Sequence, residues 1–387
     1  MNVMTLPPNS NDIDRFWKLE SLGISADEND ETVVSVMKEY QKTHISFKDG
    51  KYEARLPWKQ EFDNLPTNFE ITKRRTEHTI QRLSKDPSAL RCYGEIIADQ
   101  ERRDFIEKVP EGELLRNDRQ VHYIPHHPVQ KDSDTTPLRI VYDCSCRQHQ
   151  ESPSLNDCLQ SNPPALNDLT SILVKFRLKE FAASTDIEKA FLHIGLQECD
   201  RDVTRFLWLS DPSDVNSPLQ TYKFKTVLYR ATCSPFILDA TLQKHLKENS
   251  DKWASKIMKK DPYVDNIISS SSDEKAVLSY FRDARDLMST AGFNLRAWAS
   301  NSAKLRKLAE SENVSDSKPT TKVLGMNWNT LADDLGFPAT PIRATPQKAT
   351  KREILRHTSR IYDPLGLLTP VTERAKILIQ YMWRTKL

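Results

Sequence analysis

Glycine narrows the choice of fold more than any other residue in this chain. Only nine glycines, against 22 prolines, occur in 387 residues. Their positions allow no dinucleotide fingerprint, no phosphate-cradling P-loop and no G-x-S-x-G elbow. The glycine-dependent doubly wound nucleotide folds are therefore excluded. Between residues 164 and 335 helical and strand-like periods mix without regular alternation, which predicts an α+β fold around an antiparallel sheet. The length predicts two or three packed units. Hydrophobic residues at 38% and charged residues at 28% exclude disordered, collagen-like and coiled-coil chains. No apolar run approaches the roughly 18–20 residues of a membrane helix. The opening Met1 to Pro8 lacks the charged and apolar regions of a secretory signal, so a soluble intracellular chain without membrane contact is expected.

Local patterns organise the rest. Val33, Val34, Met37 and Tyr40 fall at helical spacing, and Asp49-Gly50 between His44–Phe47 and Tyr52–Leu56 predicts a hairpin. From Leu65 to Lys108 the spacing predicts charged helices broken at Asp86-Pro87. Val121–Ile124 and Leu138–Tyr142 are expected as short strands, the second with Leu138, Ile140 and Tyr142 on one face. From Arg343 a proline-punctuated helical tail is expected. Six scattered cysteines without a secretory signal read as free thiols, and Cys144 and Cys146 with His122, His126 and His127 match no zinc spacing.

Formal charge is nearly balanced, 56 basic against 54 acidic residues. The balance hides local excess. Residues 343–387 hold ten Lys or Arg against three Asp or Glu, and residues 73–91 hold six against two. Basic surfaces near both ends are compatible with a held nucleic-acid duplex, although solvated helix faces would give the same counts.

Two aspartates carry the chemical signal. Phe181–Phe191 reads as a short strand delivering Asp186 at its end, before the pattern turns helical. Pro262–Ile268 places Asp265-Asn266 between two β-prone pairs. Taken singly, the first is a helix cap and the second a tight turn in which Asp and Asn tolerate positive φ. As a pair, 79 residues apart, they can sit on adjacent strands and bind two Mg²⁺ ions, which would activate an attacking 3′ hydroxyl and stabilise a leaving pyrophosphate.

The Asp186–Phe191 run, the Tyr263–Asn266 hairpin and Cys233–Phe236 between them resemble a retroelement reverse transcriptase. Further motifs narrow the resemblance to the BEL/Pao group of long-terminal-repeat retrotransposons and its Pol polyprotein. They are Val121–Val129, Leu138–Asp143, Ser154–Cys158, Ala291–Arg296, Trp298–Asn301, Val323–Gly325 and Tyr362–Leu368, in order along nearly the whole chain. The resemblance implies a right-hand polymerase. Residues 1–65 would be an N-terminal linker region with helix and hairpin, 66–165 the fingers, 166–340 an antiparallel-sheet palm, and 341–387 the start of a thumb or connection. It implies RNA-directed DNA polymerisation with Mg²⁺ or Mn²⁺, an RNA template, a DNA primer, dNTPs and other parts of the Pol polyprotein as partners. An intracellular particle, in the cytoplasm or the nucleus, would be the setting. No Asp-Thr-Gly or Asp-Ser-Gly protease signature precedes the polymerase-like region, and RNase H and integrase would lie beyond Leu387.

Carried over by position, Asp186 and Asp265 are the metal-binding carboxylates, with the Asn266 amide oxygen as a further metal donor. Phe191 would crowd the sugar 2′ position. Arg139 would grip the triphosphate, Lys131 would reach the γ-phosphate, and Tyr229 and Arg230 would lie at the nucleotide. Ser234-Pro235 reads independently as a helix start with proline at its first position. Three departures stand out. Asn266 occupies the place of a second hairpin aspartate, Arg230 that of a glycine, and Ala297 that of a lysine. Such changes fit a decayed copy that still binds template–primer without performing chemistry.

Overall fold

The computed structural model describes residues 29–59, 65–114, 119–130, 138–316, 318–338 and 350–385. Lys131, the first 28 residues and the start of the basic C-terminal tail lie outside them. The fold is mixed α+β with several small sheets, and two compact units divide it. One comprises residues 1–165 and 191–244, the other residues 166–190 and 245–387.

In the first unit the strands Ile45–Lys48 and Lys51–Ala54 pair around Asp49 and Gly50. Both turn residues have positive φ, 50° and 75°, as a two-residue hairpin turn requires. The charged helices run Phe69–Leu83 and Pro87–Arg102. They break where expected because Asp86 caps the second, accepting from the amides of Ser88 and Ala89, with Pro87 at the first helical position. Leu138–Tyr142 is a strand, paired with His126–Gln130. Val121–Ile124 is not one, and this corrects the expected strand. The amides of His122, Tyr123 and Ile124 donate to Asp202, Thr67 and Arg205 in turn, so no single neighbouring strand supplies a ladder, and Pro125 then offers no N–H.

The core of this unit is aromatic. His126 packs among Tyr93, Tyr142, Phe206 and Trp208. Its Nδ1 meets the Tyr93 hydroxyl and its Nε2 the Leu207 carbonyl at 2.8 Å. With both ring nitrogens engaged and burial pushing its pKa down to about 4, His126 is a neutral structural residue. All six cysteines are free thiols.

The second unit is built on a four-stranded antiparallel sheet with Phe181–Ile187 at its centre. Asn266–Ser271 flanks it on one side, continued by the two-residue edge strand Pro262–Tyr263, and Leu295–Ser300 on the other. Helix Leu169–Arg177 buries Ile172, Leu173 and Phe176 with Ala182, Ile268, Ala299 and Trp328 in one apolar cluster. A smaller sheet of Thr320–Val323, Met326–Asn329 and Asp334–Gly336 completes that core. Its first turn, Leu324-Gly325, needs glycine: φ is 89°, and a Cβ at Gly325 would come within 2.5 Å of the Tyr362 ring. The helices Lys351–Thr358 and Thr369–Arg384 follow, the first closed by a reciprocal cap between Thr350 and Glu353. No helix among the described residues is long and apolar enough to cross a membrane.

Candidate carboxylate site and basic cleft

The second unit brings Asp186, Asp265 and Asn266 together. Asp186 sits on the central strand, opposite Asn266 on one neighbour and Arg296 on the other. The hairpin turn is one residue earlier than the sequence suggests. Tyr263 pairs with Asn266, so Val264 and Asp265 form the turn and Asn266 begins the next strand. The positive φ, 61°, falls on Val264, a β-branched residue for which that conformation is strained. Beside it, the Asp265 carbonyl accepts from the Ile187 amide at 2.8 Å, tying the turn to the strand segment that carries Asp186.

Electrostatics at this point are those of a buried carboxylate pair only partly neutralised by Arg296. Burial pushes the Asp186 carboxyl up to about 6; Arg296 works against that shift and the neighbouring Asp265 adds to it. Burial also raises Asp265, opposed in part by the Asn266 side chain, whose Nδ2 donates to Asp265 Oδ1 at 2.9 Å. Asp186 Oδ1 is buried without a hydrogen-bond partner. Arg296, half committed elsewhere, lies 3.3 Å from Glu188, which also accepts from Asn294 at 2.9 Å. An all-oxygen donor set with an orphaned carboxylate oxygen suits a hard cation such as Mg²⁺. Two carboxylates and one amide are fewer anionic donors than three aspartates would give, and among the described residues no group of three His, Cys, Asp or Glu side chains forms a metal cluster.

The first unit holds the remaining candidates. Arg139 is exposed on Leu138–Tyr142. Phe191 is 9% exposed and packs on Tyr229, ring centroids 5.5 Å apart. Tyr229 is 60% exposed, and the Arg230 guanidinium lies 5.7 Å from its ring centroid. Arg230 itself has φ 91°, a backbone region favourable only to glycine. Its side chain lines a cleft of about 350 Å³ with His127, Asp143 and Ser145.

Asn156 holds this backbone in place. Its Nδ2 donates to the Arg230 carbonyl at 3.4 Å and its Oδ1 accepts from the Thr232 amide at 2.9 Å. Asn156 rides on a one-turn helix, Leu155–Cys158, closed by a capping box between Ser154 and Asp157. Sequence alone assigns Asn156, Arg296 and Glu188 no role, although each lies inside one of the collinear motifs.

The basic stretch from residue 73 also acquires a shape. Arg74, Arg75, His78 and Arg82 line a cavity of about 390 Å³ with His126 and His127. Arg75 pairs with Asp143 at 2.8 Å, whereas Arg74 and Arg82 are exposed.

Residues 350–387 match a family described as the Pao retrotransposon-like RNaseH-like domain. The same stretch was expected to begin a thumb or connection. A solved structure of the foamy viral protease-reverse transcriptase in complex with an RNA/DNA hybrid is similar at a TM-score of 0.49 and 12% identity, covering 98% of this chain. The present chain spans 44% of the length of that one. No curated protein matches. With the collinear motifs, the family match supports an origin in the Pol region of a BEL/Pao-type retroelement.

Proposed function

We propose that this chain is the template–primer-gripping core of a retroelement polymerase whose nucleotidyl transfer is silenced in this copy. The observation that carries the reading is Arg230. It holds a glycine-type backbone, φ 91°, and its bulk and charge stand at the wall of a cleft. A polymerase needs close backbone approach and open space where a nucleotide lies, and arginine supplies neither. Gripping would fall to the basic cavity of Arg74, His78 and Arg82 and to the basic C-terminal region. Exposed guanidinium groups there would displace counterions from phosphates.

A second reading, RNA-directed DNA synthesis by this copy, is favoured by the orphaned Oδ1 of Asp186 beside Asp265. Asp186 and Asp265 would hold Mg²⁺ or Mn²⁺ with the Asn266 amide. The bound ions would supply charge stabilisation to an attacking 3′ hydroxyl and a leaving pyrophosphate. Asp186 would remain deprotonated there, and Arg296, on the neighbouring strand and paired with Glu188, would orient it. Arg139 and Lys131 would hold the triphosphate and Phe191 would select the sugar.

Paired assays separate the readings. An RNA–DNA hybrid is expected to bind with steep salt dependence while primer extension with dNTPs and Mg²⁺ or Mn²⁺ stays at the level of Asp186→Ala. Extension clearly above that control would replace the first reading by the second. Failure to bind the hybrid at low salt would remove both.

A further inference from the structure

On the second unit, helices Leu169–Arg177, Trp253–Met258 and Glu274–Ser289 enclose with the four-stranded sheet a cleft of about 450 Å³, which neither Asp186 nor Asp265 lines. Four lysines bear on it: Lys175, Lys179, Lys256 and Lys260, all exposed. Among the described residues none of the four is held in an ion pair. The single carboxylate in the cleft is Asp261. Its Oδ2 and the hydroxyl of Tyr280 are both buried, and among the described residues the Ser269 hydroxyl is the one side-chain group that bears on each of them. Tyr280 is itself 3% exposed, and Ser269 lines the cleft with it. Trp253, 44% exposed, also lines it and meets Tyr280 edge-on, centroids 6.3 Å apart.

Each part has a chemical complement. Four flexible ammonium groups facing a single carboxylate leave an excess of positive charge that suits a polyanion such as a phosphate chain. A buried carboxylate and a buried phenol that share a single hydroxyl keep hydrogen-bonding capacity for a ligand that brings donors and acceptors. An exposed indole offers a flat surface for a ring. The volume falls within the range of small-molecule pockets, roughly 300–1,000 Å³.

We propose that this cleft is a nucleotide site separate from the carboxylate pair. Lys175, Lys179, Lys256 and Lys260 take the phosphates, Trp253 takes the base, and Asp261 and Tyr280 hydrogen-bond the sugar or base edge. The inference goes beyond the polymerase reading and does not depend on it.

Calorimetric titration of the full chain with adenosine triphosphate in excess EDTA tests it, because without divalent cations the Asp186–Asp265 pair repels the ligand. Saturable one-to-one binding is expected. The double variant Lys256→Glu/Lys260→Glu should weaken it at least tenfold. Tyr280→Phe, which removes one oxygen and leaves the ring, and Trp253→Ala should each weaken it severalfold. Inorganic tripolyphosphate should bind more weakly than the nucleotide. Thermal melting of each variant establishes that it is folded. Absent binding, binding indifferent to the lysine reversals, or tripolyphosphate binding as tightly as the nucleotide would overturn the proposal.

Discussion

Position 230 should reverse the usual order of alanine and glycine. In ordinary extended or helical backbone glycine is less stable than alanine by about 0.5–1 kcal/mol, through the freedom it loses on folding. At φ 91° a residue with a Cβ is strained, at a cost of about 1–2 kcal/mol. The conformation is imposed from outside: Asn156 bonds the Arg230 carbonyl and the Thr232 amide, and Ser234 donates to the Leu228 carbonyl. Replacing Arg230 by either small residue also removes the stacking on Tyr229, worth about 0.5–1 kcal/mol at an exposed site, but that loss is common to both. Subtracting the flexibility cost from the strain relief at the middle of each range leaves Arg230→Gly more stable than Arg230→Ala by about 0.7 kcal/mol. Urea unfolding of the two variants side by side measures the difference. Alanine equal to or above glycine would refute the backbone argument. Primer extension on the same proteins then divides the cause of silence. Restoration by glycine alone points to backbone approach, restoration by both points to side-chain bulk, and restoration by neither places the lesion elsewhere.

Three further outcomes follow from other parts of the molecule. Because burial holds the folded Asp186 carboxyl up near pH 6, against an ordinary value of 3.8, the stability it contributes is present at low pH and is lost as pH rises through 6. Asp186→Asn should therefore be the more stable protein at pH 7, with its advantage shrinking toward pH 4, in denaturant titrations run without metal; a constant advantage would refute the assignment. Mg²⁺ should raise the melting temperature of the parent more than that of this variant. His126→Leu should cost about 2–4 kcal/mol in urea unfolding, since it leaves the Tyr93 hydroxyl and the Leu207 carbonyl buried without their partner. Arg74→Glu/Arg82→Glu should weaken hybrid binding at all sequences alike and lower the slope of log affinity against log salt by about 1–2, read by fluorescence anisotropy; an unchanged slope would mean that these side chains touch no phosphate.

Much of the fold was legible where a local signal and its tertiary setting agree. Asp86-Pro87 breaks a helix by capping the next one, Asp49-Gly50 turns a hairpin, and Leu138–Tyr142 is a strand buried at Leu138 and Tyr142 and half-buried at Ile140. Val121–Ile124 misled because strand propensity reports a surface that fits a pleat, whereas pairing needs a continuous neighbour. There the amides alternate between two distant segments, residues 202–205 and Thr67, neither of them visible in the local sequence.

The carboxylate site shows the same boundary more sharply. Sequence placed Asp186 at a strand end and Asp265 at a hairpin, and the register of the sheet puts Asn266 opposite Asp186. Turn chemistry assigned the positive φ to Asp or Asn, yet it falls on Val264. The apolar cluster around Ile268 and Phe176 offers a reason. Because side chains alternate along a strand, Ile267 and Ile268 lie on opposite faces and are both buried, at 2% and 3%, which fixes Asn266–Ser271 against Phe181–Ile187 from both sides. Burying one such side chain is worth about 1.5–3 kcal/mol, comparable to or above the cost of about 1–3 kcal/mol for a strained residue. Register therefore wins over turn preference. Asp265 is held beside Asp186 by the packing of the two isoleucines, a cause that lies on the strand rather than in the Asp265-Asn266 dipeptide.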